Sequence, residues 1–359
     1  MTLSTKTSGR DRLDITNRVL LDLFEQDTYY ALNARQAAML RAAGELTILP
    51  AALTTYAGAS VTAGEFTQAA HLLEQSDAIS AATSAPPHRS VRTYLAACLG
   101  QEQQAEQLAQ ATIQEATERG EGSEVTIALF ALTFLRNGLA HYEQAFTACT
   151  AALAYDDVGM HGHLLNEMVE AAARSARRDI AESAAGELIE RAAASPTRTA
   201  LGYAARAKAI LDSEPSAETE YLTAITELDK TPLDVLAART HLIFGEWLRR
   251  ANRRAEASSR LRTAYEMFRQ MGADGFAERA RRELHAAGEP QRKERDDTSM
   301  VALTSQESYI ARLTGDGYTN SEIAGHLFLS PRTVEWHLSK IFVKLGVSSR
   351  RELRRLRGE

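Results

Sequence analysis

Apolar positions along this chain recur at helical spacing, i, i+3 and i+4, and no stretch alternates apolar and polar for more than a few residues. The pattern predicts an all-α protein. In the first 290 residues alanine abounds and prolines are few, which predicts long helices joined by short turns. A recurring element punctuates them: a turn residue, a second position two further on, and a small residue five further on. It reads Gly64, Phe66, Ala69; Gly100, Glu102, Ala105; Ala140, Tyr142, Ala145; Arg178, Ile180, Ser183; and Asn252, Arg254, Ala257. The starts lie 36, 40, 38 and 74 residues apart, the last being two periods with a weaker copy near Ser216 and Thr219. Such a period predicts stacked helix hairpins, a solenoid whose long concave surface serves as a docking site, the alternative being that the repeats only hold subunits together.

The last sixty or so residues carry a different punctuation. Thr304-Ser305-Gln306-Glu307, Thr319-Asn320-Ser321-Glu322 and Ser349-Arg350-Arg351-Glu352 have the S/T-x-x-E form. In that form the hydroxyl accepts from an orphan helix amide and the glutamate reaches back to the cap amide. Ser330-Pro331 opens another helix, with serine as N-cap and proline at the first helical position. Gly315-Asp316-Gly317 and Gly346 are stops. The expected order is helix, turn, helix, turn, long helix, short helix. Ile310, Leu313, Ile323, Ala324, Leu327, Val334, Leu338, Ile341, Phe342 and Leu345 fall on inward stripes of one small core. On the long helix this leaves Arg332, Glu335, Trp336, Ser339, Lys340 and Val343 pointing elsewhere, a polar, mixed face available to a groove.

Thr319-Asn320-x-Glu322-Ile323-Ala324, the run Leu327 to Leu338 and Lys344-Leu345-Gly346-Val347 together resemble the LuxR-type helix-turn-helix. The resemblance implies that the third helix enters the major groove of double-stranded DNA, that the turn and the second helix's start hold phosphates, and that the fourth helix serves dimerisation. Carried onto this chain, Glu335, Trp336 and Ser339 become base-reading candidates, and Thr319, Asn320, Arg332, Thr333, Lys340 and Lys344 backbone anchors. Arginine and lysine neutralise phosphates without reading sequence. Glutamate only accepts, which suits a cytosine amino group, and Trp336 suits a thymine methyl. The alternative for Trp336 and His337 is that they complete the small domain's core.

The repeats are similar to tetratricopeptide repeats, with a longer period and without their tryptophan and proline signatures. Arg239 to Arg250, Met271-Gly272-Ala273 and Phe276 to Leu284 resemble the repeat-to-DNA junction of the large ATP-binding LuxR regulators, as do Glu143-Gln144-Ala145 and Glu170 to Ser175. Those regulators begin with a nucleotide-hydrolysing domain. A phosphate-binding loop needs G-x-x-x-x-G-K-[ST], and no Gly-Lys pair occurs here, so ATP switching is not expected unless an ATPase acts in trans.

Charge divides the chain in the same place. Residues 298–359 hold nine basic against six acidic residues, about +3, leaving 32 against 41, about −9, for everything before. The basic end is the nucleic-acid end. Other chemistry is thin. His161 and His163 after Asp156-Asp157 lack a third metal ligand of suitable spacing, and Cys98 and Cys149 in alanine-rich helices predict buried free thiols. No catalytic constellation stands out, and no metal or cofactor is expected. Two cysteines, no apolar run of membrane length and no signal-peptide core suit a reducing cytoplasm.

The expected organisation is a frayed N-terminus at 1–12, a helical-repeat sensing body at 13–287, a charged linker at 288–302, and the DNA-binding domain at 303–359. The expected function is a cytoplasmic, non-enzymatic bacterial transcription regulator, binding operator DNA as a homodimer. A peptide, protein or small-molecule effector on the repeats would control it, with RNA polymerase as a further partner. A repeat scaffold that sequesters another LuxR-type regulator is the alternative, distinguished by whether the chain alone binds an operator.

Overall fold

The computed structural model describes residues 9–83, 88–212, 215–288, 310–311, 313–315, 317–327, 331–347 and 349–355. Every regular element among them is helical, as the apolar spacing predicts. The chain divides into two compact units, residues 1–269 with 273–289, and 290–359 with 270–272. The charged linker expected at 288–302 lies, beyond Gly288, outside the described residues.

The body runs α1 (Gly9–Asp22), α2 (Gln26–Ala43), α3 (Leu49–Thr62), α4 (Phe66–Thr83), α5 (Ser90–Cys98), α6 (Glu102–Arg119), α7 (Gly122–Gly138) and α8 (Tyr142–Leu153). It continues with α9 (Val158–Arg174), α10 (Arg178–Ala194), α11 (Arg198–Leu211), α12 (Ser216–Leu228), α13 (Asp234–Arg250), α14 (Arg254–Met271) and α15 (Asp274–Ala286). Helix α1 begins inside the stretch 1–12 expected to be frayed. Neighbours pack as antiparallel hairpins, α3 on α4, α7 on α8, α9 on α10 and α11 on α12.

One turn recurs within these hairpins. Phe24, Gly64, Gly100, Ala140, Ala176 and Asn252 all lie in the left-handed region, with φ between 58° and 72°. In each case the next residue's amide donates to the carbonyl five residues back: Glu25 to Leu20, Glu65 to Ser60, Gln101 to Ala96, His141 to Arg136, Arg177 to Ala172 and Arg253 to Leu248. That is the bond that closes a Schellman-type helix end. Five residues after the turn residue, Ala69, Ala105, Ala145, Ala181 and Ala257 are fully buried, small enough to let the paired helices approach.

This corrects the expected register of one repeat. Its turn residue is Ala176 rather than Arg178, Arg178 opens α10, and Ile180 and Ser183 point to solvent. In the weaker copy Ala217 and Tyr221 are buried, not Thr219. A further copy at Phe24, Gln26 and Tyr29 escaped the sequence pattern. Ion pairs between successive hairpins keep the same period: Arg177 with Glu143, Arg253 with Glu218 and Glu283 with Arg249 are 34 or 35 residues apart.

Distant helices of the body also meet one another. Helix α1 packs on α9, α13 touches α3, and the start of α15 returns to the loop after α5, where the Gly100 and Gly275 backbones leave no room for a Cβ on either. Phe276 fills the notch at Gly138, and Arg279 donates to the carbonyls of Asn137 and Gly138, both at 2.8 Å.

The space inside is crossed by buried charge. Arg239 donates to both oxygens of Glu167 at 3.0 Å and to Glu170 at 2.6 Å; Arg206 pairs with Glu170, and Arg279 with Glu246 at 2.7 Å. Asn137 Nδ2 adds a bond to Glu167 at 2.9 Å. Burial pushes the Glu170 carboxyl up, but the guanidiniums of Arg239 and Arg206 outweigh it and hold it at about 2. Cys98 and Cys149 are buried free thiols, as expected, with pKa values raised by burial. His161 meets Glu187 and His163 meets Tyr203, while Asp157 caps α9 and pairs with Arg18. Among the described residues no cluster of metal-ligating side chains forms, and no helix is long and apolar enough to cross a membrane.

Candidate nucleic-acid interface

The second unit is built by its caps. After helical backbone at Ile310, Ala311 and 313–315, Gly317 turns the chain at φ 102°, and the Tyr318 amide donates to Leu313 O at 3.1 Å. Helix α16 (Asn320–Leu327) then opens on a complete capping box. Glu322 N donates to Thr319 Oγ1 at 3.2 Å, while Thr319 N and Oγ1 both donate to Glu322 Oε2 at 2.7 and 2.8 Å. Pro331 is the first residue of α17 (Pro331–Leu345), which ends where Gly346 turns at φ 64° and Val347 N donates to Phe342 O. Helix α18 (Arg350–Arg355) is capped by Ser349, whose hydroxyl accepts from Glu352 N at 3.3 Å. The box expected at Thr304–Glu307 and the cap Ser330 lie outside the described residues.

These helices share one core. Ile310, Ala311, Leu313, Ile323, Ala324, Val334, Leu338, Ile341 and Leu353 are buried, with Phe342, Leu345 and Val347 packed against them. Ala311 and Leu353 join it beyond the sequence reading. Leu327 was expected there too; its side chain is outside the described part.

With Val334, Leu338 and Ile341 turned inward, Glu335 and Ser339 on the other side of α17 are exposed, one turn apart. The Ser339 hydroxyl donates to Glu335 O at 3.1 Å. The helical repeat places residues 332, 336 and 343 on that same side of the backbone. The side chains of Arg332, Thr333, Trp336 and Lys340 lie outside the described part. His337 and Lys344 are half-buried at the border of this face.

Thr319 and Asn320 sit at the start of α16 with their side-chain groups already engaged. The Thr319 hydroxyl belongs to the capping box, beside the Glu322 carboxylate. Asn320 Oδ1 accepts from Arg350, whose other terminal nitrogen donates to Tyr318 O at 3.0 Å. Arg350 thus ties the last helix to the turn before α16. From the sequence Arg350 stands only in the Ser349–Glu352 helix start and in the basic count, because its partners lie thirty residues upstream.

Residues 301–356 match the family described as "Bacterial regulatory proteins, luxR family". Over 52 residues, 14% of this chain and 6% of the relative, it is 46% identical to a protein of Mycobacterium bovis named as an HTH-type transcriptional regulator. Over 51 residues it is 53% identical to the uncharacterized response regulatory protein YgeK of Escherichia coli, covering 14% of this chain and 35% of the relative. Over 50 residues it is 48% identical to the transcriptional regulatory protein ComA of Bacillus subtilis, covering 14% and 23%. The chain thus spans well under half the length of each of these relatives, and the family match lies in the C-terminal unit. An all-helical repeat body here precedes a LuxR-family helix-turn-helix domain at residues 301–356.

Proposed function

We propose that this chain is a DNA-binding transcription regulator whose α17 enters the major groove, and that the repeat body controls that binding in response to an effector. The observation that carries the reading is the division of α17 between a buried apolar side and a solvent side holding Glu335 and Ser339, in a domain of this family. At 15 residues, α17 is about 22 Å long, enough to cross a groove about 12 Å wide with its first turns at the bases. Glu335, Trp336 and Ser339 read base edges; Arg332, Thr333, Lys340 and Lys344 hold phosphates, with Asn320 beside them. Thr319 contributes by fixing the start of α16, since its hydroxyl is held by Glu322. One such helix reads few base pairs, so the chain binds paired half-sites as a homodimer. No catalytic role is assigned, and the protein acts where its DNA lies, in the cytoplasm. The mechanism is a population shift: the body disfavours the DNA-competent arrangement until an effector binds one state better.

The chain has two tryptophans, and Trp336 is the one on α17. In a Trp247→Phe variant all tryptophan emission comes from Trp336. Adding operator duplex should quench or shift that emission saturably, whereas emission indifferent to duplex under conditions where the complex forms removes Trp336 from the interface.

A further inference from the structure

The charged network does not fill the inside of the body. Between the inner helices remains a cavity of about 110 Å³, lined by Tyr94, Phe130 and Phe134 and, next to Phe130, by the polar groups of His163, Asn166 and Tyr203. Protein interiors pack at crystal density with few voids larger than a water. This one is several waters in size, close to the roughly 150 Å³ that admits benzene in an apolar core.

Its wall combines two chemistries. The aromatic side presents Tyr94 and Phe134 nearly perpendicular, with centroids 5.9 Å apart. The polar side is a chain of buried hydrogen bonds, in which His163 lies 2.8 Å from the Tyr203 hydroxyl and 3.2 Å from Gln26 Nε2. Behind it Glu167, Glu170, Arg206 and Arg239 already pair, two carboxylates with two guanidiniums. A charged guest would find no spare counter-ion, and an uncompensated buried charge is costly.

Part of the remaining wall belongs to the N-terminal arm, through Leu21, Gln26 and Tyr29 of α1 and α2, and part to Val235 and Leu236 at the start of α13. The arm is fastened by Phe24, seated in the notch at Gly162, and by the ion pairs Arg18–Asp157 and Arg191–Asp22. Its side chains therefore meet an occupant directly.

We infer that this cavity, closed by the α1–α2 arm, is a binding site for a neutral single-ring aromatic molecule carrying one hydrogen-bonding group. The ring lies among Tyr94, Phe130 and Phe134, and its polar group faces His163 and Tyr203. Binding favours the docked arm, because the arm supplies part of the wall. The inference rests on the reading of the body as the effector-sensing part, and it names the effector's class.

Phenol, toluene and benzoate test it on the full-length chain by ligand-observed NMR and thermal unfolding, without DNA. Expected is saturable binding of one phenol per chain with a raised Tm, weaker binding of toluene, and none of benzoate. Tyr203→Phe should weaken phenol about tenfold while leaving toluene unchanged, and Val235→Phe, which fills the cavity, should abolish both. If Val235→Phe does not fold by circular dichroism, Tyr203→Phe, which removes one hydroxyl, decides. No saturable phenol binding, equal binding of all three probes, or affinities unmoved by Tyr203→Phe overturns the inference. Operator binding is measured separately, so its loss would sink the regulator reading and leave this result standing, and the reverse.

Discussion

Replacing Arg239 by methionine should cost about 4 kcal/mol of folding stability at pH 7, and the loss should shrink as the pH falls. Arg239 gives three charge-assisted hydrogen bonds, two to Glu167 at 3.0 Å and one to Glu170 at 2.6 Å, with all three side chains at 1% exposure. Methionine fills similar volume, but it leaves two buried carboxylates facing Arg206 alone, one negative charge in excess. Breaking a buried pair from one side costs about 3–5 kcal/mol. An independent ceiling comes from proton uptake, since a stranded glutamate can neutralise itself. Protonating a carboxyl of pKa about 4.3 at pH 7 costs about 3.7 kcal/mol, at about 1.36 kcal/mol per unit. The two figures agree. In the variant the stranded carboxyl has a folded pKa raised above its unfolded value, so its contribution is intact below about 4.3 and is lost as pH rises. The difference from the parent should therefore fall by roughly 1.4 kcal/mol per pH unit between pH 7 and pH 5. The lost cation–π contact of Arg239 with Phe134, at 4.4 Å, has no such dependence. Urea unfolding of both proteins at the two pH values measures this, and adding Glu167→Gln should restore more than half of the loss. A cost below about 1 kcal/mol, or one equal at both pH values, would refute the reasoning.

The parent protein should itself lose stability as pH falls from 6.5 towards 4, because burial lowers His163 and His241 from 6.5 to about 4, so the unfolded chain takes up protons there that the folded chain does not. Below pH 4.5 Glu170, held at about 2, continues the loss; a stability profile flat from pH 6.5 to 4 contradicts these shifts. Gly275→Ala places a Cβ 2.6 Å from Gly100 O and should destabilise the body by about 1–3 kcal/mol. Gly186→Ala, inside α10 with nothing within 4 Å, should instead stabilise it by about 0.5–1 kcal/mol; thermal unfolding that fails to separate the two signs rejects the close approach of α15. Lys340→Ala and Lys344→Ala should weaken binding to all DNA alike with a salt slope shallower by about one, whereas Trp336→Ala and Ser339→Ala should change the preferred sequence. Equal losses for all four on specific and random duplexes would show that the base-reading assignment is mistaken.

The C-terminal unit was legible because its signals are local. Thr319 and Glu322 find each other across three residues, Pro331 opens α17 from its own ring, and Gly346 ends it, so the caps and the inward stripe follow from spacing alone. The repeat was legible at Gly64, Gly100, Ala140 and Asn252, where the small residue five positions on stands in register, and blurred at two other copies. At Ala176 and Phe24 the left-handed conformation is taken by residues that do not advertise it, so one copy was misregistered by two residues and another missed. The inner face was not legible. Glu167, Glu170, Arg206, Arg239 and Arg279 have the composition of a solvated surface, and their ion-pair partners lie 33 to 72 residues away. Arg239 and Glu246 fall in the stretch that resembles the junction of the large LuxR regulators. There they hold the inner network, a role visible only once the solenoid turns back on itself.

The central claim is that this chain, without a second regulator, reads a specific operator through α17. Selection of bound sequences from a random duplex library by the purified full-length chain, at about 0.15 M salt where non-specific phosphate binding is weak, tests it most directly. The account predicts enrichment of a palindromic motif with two half-sites, strongest with residues 298–359 alone because the body restrains the effector-free chain, and abolished when Trp336 and Ser339 are both replaced by alanine. Enrichment of no motif, by the full chain or by residues 298–359 alone, would contradict it.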